Sequence, residues 1–394
     1  MTAPLLCVLE HPTQYDAPLW AAIERRGMLQ PAVWYESSRE PADAEIGHEV
    51  AWGQSLPPSA ETQSSRLGQF IESLDESPVC AIVPGWTRSL TWRALWGCRR
   101  RGIPVILPSD KTLNEPSGKP RIPVALLHAL KNRLFQGFLT TGQLGVAALR
   151  SAGVPRSLIA TGLYPVDCTW WRQQCRRYER ESRALRNALG GSVVVVAVSK
   201  MSDREDPLTA IRGFAKMAAT IDGARLLFVG DGPLRSHVEN EIRTLGIGTK
   251  VRLEGYVRYE SLAACYRAAD VFIHVPRREP WGISVGEAMA CGLPVVASST
   301  VGSAADLVMA GRTGFIVPPS DPAEVSAALL AAVDLLAEPC ARRAISAAAQ
   351  SVDVTTAANE IELLVDRFAV LPTFDPIRQV VISELKNHWG KWPA

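Results

Sequence analysis

Glu279 and Glu287 are the residues whose type and spacing first suggest chemistry. They bracket the stretch Glu279-Pro-Trp-Gly-Ile-Ser-Val-Gly-Glu287. An ionised carboxylate only accepts hydrogen bonds, so two of them can grip hydroxyls at separate parts of one ligand. Pro280 and Gly282 break regular structure. From Ile283 onward the pattern is helical and stops at Gly292. The N–H groups near Gly282, Ile283 and Ser284 then open a helix and lack partners within it. Such a helix end suits a phosphate. A phosphate site with a carboxylate on each side fits a diphosphate between two polyols, which is a nucleotide sugar.

These residues need a frame to hold them. Short apolar runs alternate with longer helical patterns along the chain, the signature of parallel α/β architecture. In the first half, Leu5–Leu9, Val79–Pro84, Val105–Pro108 and Phe138–Thr140 read as strands. Helices are expected over Pro18–Arg26, Leu90–Arg101 and Gln143–Ala152. Residues 36–66 read as a long surface excursion. The second half restarts the pattern with strands at Ser192–Val198, Arg225–Val229, Val251–Leu253, Val271–His274, Pro294–Ala297 and Gly314–Val317. Helices Leu208–Met217, Leu234–Leu245 and Glu260–Ala268 fall between them. Two doubly wound units result, joined near Tyr164-Pro-Val-Asp167, and a last helix over Asp375–Trp389 is placed to cross back. Ligands of such sheets bind beyond the carboxyl ends of the strands, so the cleft between the units is the expected site.

Bulk properties agree. The 394 residues exceed one ordinary core. Apolar residues make up 47% and charged residues 21%, a globular balance. A net charge of +2 gives no argument for a nucleic-acid partner. No apolar run reaches the ~18–20 residues of a membrane span. The N-terminus reads as a first strand and not as a signal peptide. The eight cysteines are scattered without a C-x-x-C pair, which reads as reduced thiol in a cytoplasmic protein.

The string from Glu279 through Ala288-Met-Ala-Cys-Gly-Leu-Pro-Val-Val-Ala297 resembles the signature of glycosyltransferase family 4 (group 1). Phe228-Val-Gly-Asp-Gly-Pro233, Val251-Arg-Leu-Glu-Gly-Tyr-Val257 and Gly311-Arg-Thr-Gly-Phe-Ile-Val-Pro318 are similar to further parts of that pattern. The matches are strongest over about residues 193–320. His11-Pro-Thr-Gln-Tyr-Asp-Ala-Pro18, Pro84-Gly-Trp-Thr-Arg88 and Ile103–Leu107 resemble one subgroup less specifically. The resemblance implies a GT-B fold: an acceptor domain over residues 1–165, a donor domain over 166–372, and a C-terminal helix (373–394) packed back on the first. It implies a retaining glycosyltransferase using a UDP- or GDP-sugar as cosubstrate, with no cofactor and no metal. Glu279 would contact the transferred sugar and Glu287 the ribose. Gly230, Tyr256 and Val257 would lie along the nucleotide. The family clamps the diphosphate with an Arg and a Lys after the first strand of the second domain. Here Lys200 falls at the Arg position and Glu205 at the Lys position. Arg204, next door, is expected to take over, since a guanidinium suits bidentate phosphate contacts. Glu279, Lys200 and Arg204 are thus the expected catalytic set. Two further departures are Val275-Pro276 in place of Pro-Ser, and Gly286 in place of a bulky residue. No Asp-x-Asp follows a strand, which argues against a metal-bound donor.

On the acceptor side the candidates are His11, Gln14, Trp86, Asp110 and His128. His274 ends a strand near Glu279. Each histidine is equally readable as packing or surface. Trp92 and Trp96 share a helix face and read first as core. Arg121–Phe138 combines leucines with Arg121, Lys131 and Arg133, which fits a peripheral membrane helix, although a core helix with a basic solvated side is preferred. A glycan, a lipid-linked acceptor and a small molecule all stay open. So do a nucleotide-sugar 2-epimerase of the same architecture and a non-catalytic nucleotide-sugar-binding protein.

Overall fold

The computed structural model describes residues 2–37, 60–62, 66–86, 88–112 and 134–368. The first sheet contains β1 (Ala3–Leu9), β2 (Leu29–Tyr35), β3 (Ala60–Thr62), β4 (Cys80–Ile82), β5 (Val105–Ser109), β6 (Gly137–Thr140) and β7 (Ile159–Thr161). Its order is β3-β2-β1-β4-β5-β6-β7, parallel throughout. The second sheet contains β8 (Val193–Val198), β9 (Ala224–Val229), β10 (Val251–Gly255), β11 (Val271–His274), β12 (Val295–Ser298) and β13 (Gly314–Val317). Its order is β10-β9-β8-β11-β12-β13, again parallel. The expected pair of doubly wound units is present.

The strand sequences explain themselves. Val194, Val195 and Val196 are fully buried, as a central parallel strand covered by helices on both faces requires. The helix Pro207–Thr220 starts on a proline, which fits a first turn whose N–H groups are unused anyway. The helix Pro322–Leu335 is capped by Asp321, which accepts from the N–H of Ala323 and Glu324.

β2, β3 and β7 escape the sequence reading. β2 carries Pro31, a residue that argues against a strand with neighbours on both sides, yet Pro31 pairs in register with Leu5. β3 and β7 are three residues each.

A helix does cross back to the first domain. It is Val354–Phe368, ahead of the expected Asp375–Trp389, which lies outside the described residues. Val354, Ile361, Leu364 and Val365 join the core of the first sheet, each contributing about 1.5–3 kcal/mol by burial. Arg26 Nε donates to Glu362 at 2.6 Å, where the Glu362 side chain is only 3% exposed. The hinge at Val166 is held by Val166 N–H to Val352 O (2.9 Å) and Val354 N–H to Val166 O (3.2 Å). Gly286 packs against this segment. A Cβ there would come within 2.9 Å of Val166 Cγ2, which is a physical reason for a small residue at a position the family usually fills.

Candidate functional site

Strand addition reverses at β8, whose neighbours are β9 and β11. That reversal point is where ligands bind in open parallel sheets. Because β8 and β11 are paired, the loops that leave them emerge side by side. One is residues 199–206, the other 275–282. Arg277 N–H donates to Arg204 O at 2.9 Å, and the Arg277 guanidinium reaches Asp203 and Asp206, both at 3.2 Å. The loops are therefore tied to each other.

Glu279 stands on the second loop. Its Oε2 accepts from Arg204 at 3.0 Å and its Oε1 from the Trp281 N–H at 3.2 Å. The loop is fixed at several points. Pro276 O accepts from Ser298 and Thr300 hydroxyls. Glu279 O accepts from Gly302 N–H and Trp281 O from Ser303 N–H. Gly282 takes the left-handed conformation (φ 85°) and opens the helix Ile283–Ala290, with its carbonyl held by Ser303. The first-turn N–H groups of Ile283 and Ser284 thus sit directly after Glu279, as the spacing required.

Lys200 and Arg204 both lie on the first loop. Arg204 also donates to Glu205 Oε1 at 2.6 Å, so it is shared between two carboxylates. Glu205 is buried at 6% exposure. Burial raises its carboxyl above the ordinary range; His274, Arg204 and Lys200 act against that, and Glu279 adds to it. Gly230 (φ 135°) follows β9, and a Cβ there would collide with Ser199 O at 1.9 Å. Only glycine allows that approach. Tyr256 is exposed and Val257 rests on the core.

Glu287 behaves differently. It is 4% exposed and accepts from the Tyr266 hydroxyl at 3.0 Å. Burial pushes its carboxyl up to about 7, against the lowering effect of Tyr266 and Tyr259.

On the first domain, His11 Nδ1 lies 3.3 Å from Pro12 O. Gln14 Oε1 is buried with no hydrogen-bond partner. Asp110 is exposed and accepts from Tyr164 at 3.4 Å. Trp86 is packed edge-on against Trp92 and Phe135 and rests on the first-domain core, a structural role. Trp96 is 37% exposed, so it does not share Trp92's packing. His128 and most of Arg121–Phe138 lie outside the described residues. Among the described residues no helix is long and apolar enough to cross a membrane, and all eight cysteines are free thiols.

Three groups were missed from sequence. Tyr164, noted only as part of the join, donates to Asp110 at 3.4 Å, and its hydroxyl pKa is raised first by burial and then by Asp110, Asp16 and Glu279. Asp16 is buried at the start of the helix Asp16–Arg26, where burial lifts it to about 7 against hydrogen bonds from Thr13. Glu205, His274 and Glu279 converge: one donor atom from each lies within 4.8 Å of the others. A search for acids close in sequence could not find a trio spread over three crossovers. Its one signal was that His274 ends a strand.

The sequence model for glycosyl transferases group 1 matches residues 179–351. The match spans the whole second sheet, β8 through β13. Over 161 residues the chain is 33% identical to the GDP-mannose-dependent alpha-(1-6)-phosphatidylinositol monomannoside mannosyltransferase of Mycolicibacterium smegmatis, covering 39% of this chain and 41% of the relative. Over 203 residues it is 30% identical to D-inositol 3-phosphate glycosyltransferase 2 of Catenulispora acidiphila, covering 49% and 47%. The chain thus spans less than half the length of these relatives. Among solved structures, Anabaena Alr3699/HepE in complex with UDP superposes with a TM-score of 0.67 at 17% identity, over 94% of this chain and all of that one. An E. coli trehalose-6-phosphate protein bound with UDP-2-fluoro glucose gives 0.67 at 12% identity, over 92% and 99%. The fold is GT-B.

Proposed function

We propose that the protein is a retaining, metal-independent glycosyltransferase that moves a hexose from a UDP- or GDP-sugar to a hydroxyl of a glycan, lipid-linked or small-molecule acceptor, without an organic cofactor. The observation that carries this is Glu279, held on a fixed Pro-Trp-Gly turn between Arg204 and the N-terminus of the helix Ile283–Ala290. A diphosphate on that helix end places its sugar against Glu279 and its charge against Lys200 and Arg204. The work of the site is then positioning and stabilisation of the departing diphosphate. The leaving phosphate takes the acceptor's proton on the same face, so configuration is kept. Glu287 serves the ribose side in this reading, which requires its buried carboxyl to give up a tyrosine hydrogen bond.

GDP-mannose is named for the mycobacterial relative and UDP for the Anabaena neighbour. A thermal-shift screen of UDP, GDP, ADP and dTDP sugars is the first test, since a ligand above its dissociation constant raises apparent stability. Transfer to an acceptor panel with the product anomer read by NMR is the second. An inverted anomer sinks the retaining assignment. An epimerised donor in the absence of acceptor would instead mark an epimerase. One observation favours a second reading: Glu205 stands where a cation is expected. Donor binding with neither hydrolysis nor transfer would make the protein a nucleotide-sugar-binding protein.

A further inference from the structure

We propose that Trp281, together with Asp306, clasps the loop 275–282 to the first domain, and that Trp281 is a positioning residue for Glu279. Trp281 lies between Glu279 and the helix Ile283–Ala290. It is only 4% exposed, although it stands on a loop. Its indole Nε1 donates to Tyr164 O at 3.1 Å, 117 positions away in the join after β7. Its backbone N–H donates to Glu279 Oε1 at 3.2 Å. One residue thus holds the Glu279 carboxylate through its main chain and the join through its side chain.

The first domain is shaped for this contact. Gly142 lies between β6 and the helix Gln143–Ser151, with φ −160°. Any residue adopts that extended backbone, so conformation does not demand a glycine there. Clearance does. A Cβ on Gly142 would come within 2.6 Å of Trp281 Cζ3 and closer still to Asp306 Oδ2. Asp306 belongs to the short helix Ala304–Leu307, and both its oxygens accept from the Gln143 N–H at 3.2 Å. That N–H opens the helix Gln143–Ser151, where a carboxylate is favourable. Neighbours of Asp306 join the two halves of the clasp: Ser303 N–H donates to Trp281 O at 2.8 Å and Gly302 N–H to Glu279 O at 3.0 Å. The loop that carries Glu279 is therefore held from both domains.

A loop pinned from its own domain alone keeps whatever slack the join allows. Pinned from both, it fixes Glu279 relative to the first-domain surface that carries His11, Gln14 and Asp110. A misplacement of about 1 Å between reacting groups costs on the order of 100-fold in rate, so this constraint acts on turnover. Nucleotide binding is expected to be indifferent to it, because Lys200, Arg204 and the helix Ile283–Ala290 all stand on the second sheet's side of the cleft. The effect on turnover rests on the glycosyltransferase reading; the contact itself does not.

The test uses the full chain with Gly142→Ala, Trp281→Phe and the double variant. Gly142→Ala drives a Cβ against a buried ring, and Trp281→Phe deletes the indole N–H and the outer ring. Each should lower kcat by about tenfold to 100-fold, with UDP and GDP affinities as in the wild type. The double variant should be no worse than the poorer single, since both act on one contact. Gly97→Ala, on the helix Ser89–Arg100, where a Cβ meets only Ile71 at an ordinary 3.8 Å, should leave turnover unchanged. Wild-type kcat in Gly142→Ala and Trp281→Phe overturns the positioning role. So does a fall in nucleotide affinity that matches the fall in kcat, which marks simple damage to the donor site. Effects that multiply in the double variant overturn the shared contact. Should Gly142→Ala fail to fold, Trp281→Phe decides. Amide hydrogen exchange over residues 275–284 reads the contact without activity. It should quicken in both single variants, and unchanged exchange overturns the clasp. A wild type that transfers no sugar sinks the glycosyltransferase reading, and the exchange result then decides the clasp by itself.

Discussion

The loop 275–282 and the helix Ile283–Ala290 each carry one glutamate of the pair, and they treat it in opposite ways. Glu279 sits on a turn pinned by Gly302, Ser303 and Trp281, with its carboxylate against Arg204. Glu287, just over one turn into that helix, is sealed among Tyr266, Tyr259 and the core. The residue type is the same and the sequence separation small. The difference comes from where the polypeptide leaves the strand end. A loop residue at the reversal point of the sheet faces the cleft, whereas a helix residue pointing inward faces the domain interior. The lesson is that a paired motif need not be two equivalent ligands. Glu279 is a contact held by Arg204 and the turn, and Glu287 is a titratable group held by burial.

The largest expected effect tests the loop. Glu279→Ala should lower turnover by about 100-fold or more, the scale of losing one positioning contact, with circular dichroism and melting unchanged. Near-normal turnover would remove Glu279 from the site.

The next tests the helix. The Glu287 carboxyl titrates at about 7 when folded, above the ~4.3 of an unfolded glutamate. Between these values the folded state holds a proton that the unfolded state has released. Stability from this group is full below pH ~4 and is lost as pH rises toward about 7. Glu287→Gln should remove that loss, worth up to about 3 kcal/mol above pH 7. Chemical denaturation at pH 5 and pH 8 reads it directly. A variant that gains nothing at the higher pH would show that burial does not hold a proton on Glu287.

The smallest effect sharpens the charge balance around Glu279. In EDTA, Arg204→Ala should weaken UDP or GDP binding by about tenfold, and Glu205→Ala should weaken it less. The reverse order would mean that Arg204 only neutralises its two carboxylates.

Much of this was legible in the chain. Val193–Val198, Val271–His274 and Gly314–Val317 stand within a residue of where their β-branched runs put them. The helix opening at Gly282 follows from the Pro-Trp-Gly break. The first sheet was less legible because β2 contains Pro31 and β7 is short, and pairing with β1 and β6 overrides the local signal. The site's partners were less legible still. Arg204 was picked out as a phosphate contact, but its bonds to Glu205 and Glu279 join residues up to 75 positions apart.

By itself, then, the sequence determined two wound units, the strand–loop–helix at Glu279, and the departure at Glu205. Those are properties of periodicity, turn chemistry and residue type, all local. Only the tertiary structure decided that Glu287 is buried and that Glu205, His274 and Glu279 meet. The pairing of β8 with β11 brings two distant loops together, and no local pattern records which strands lie side by side.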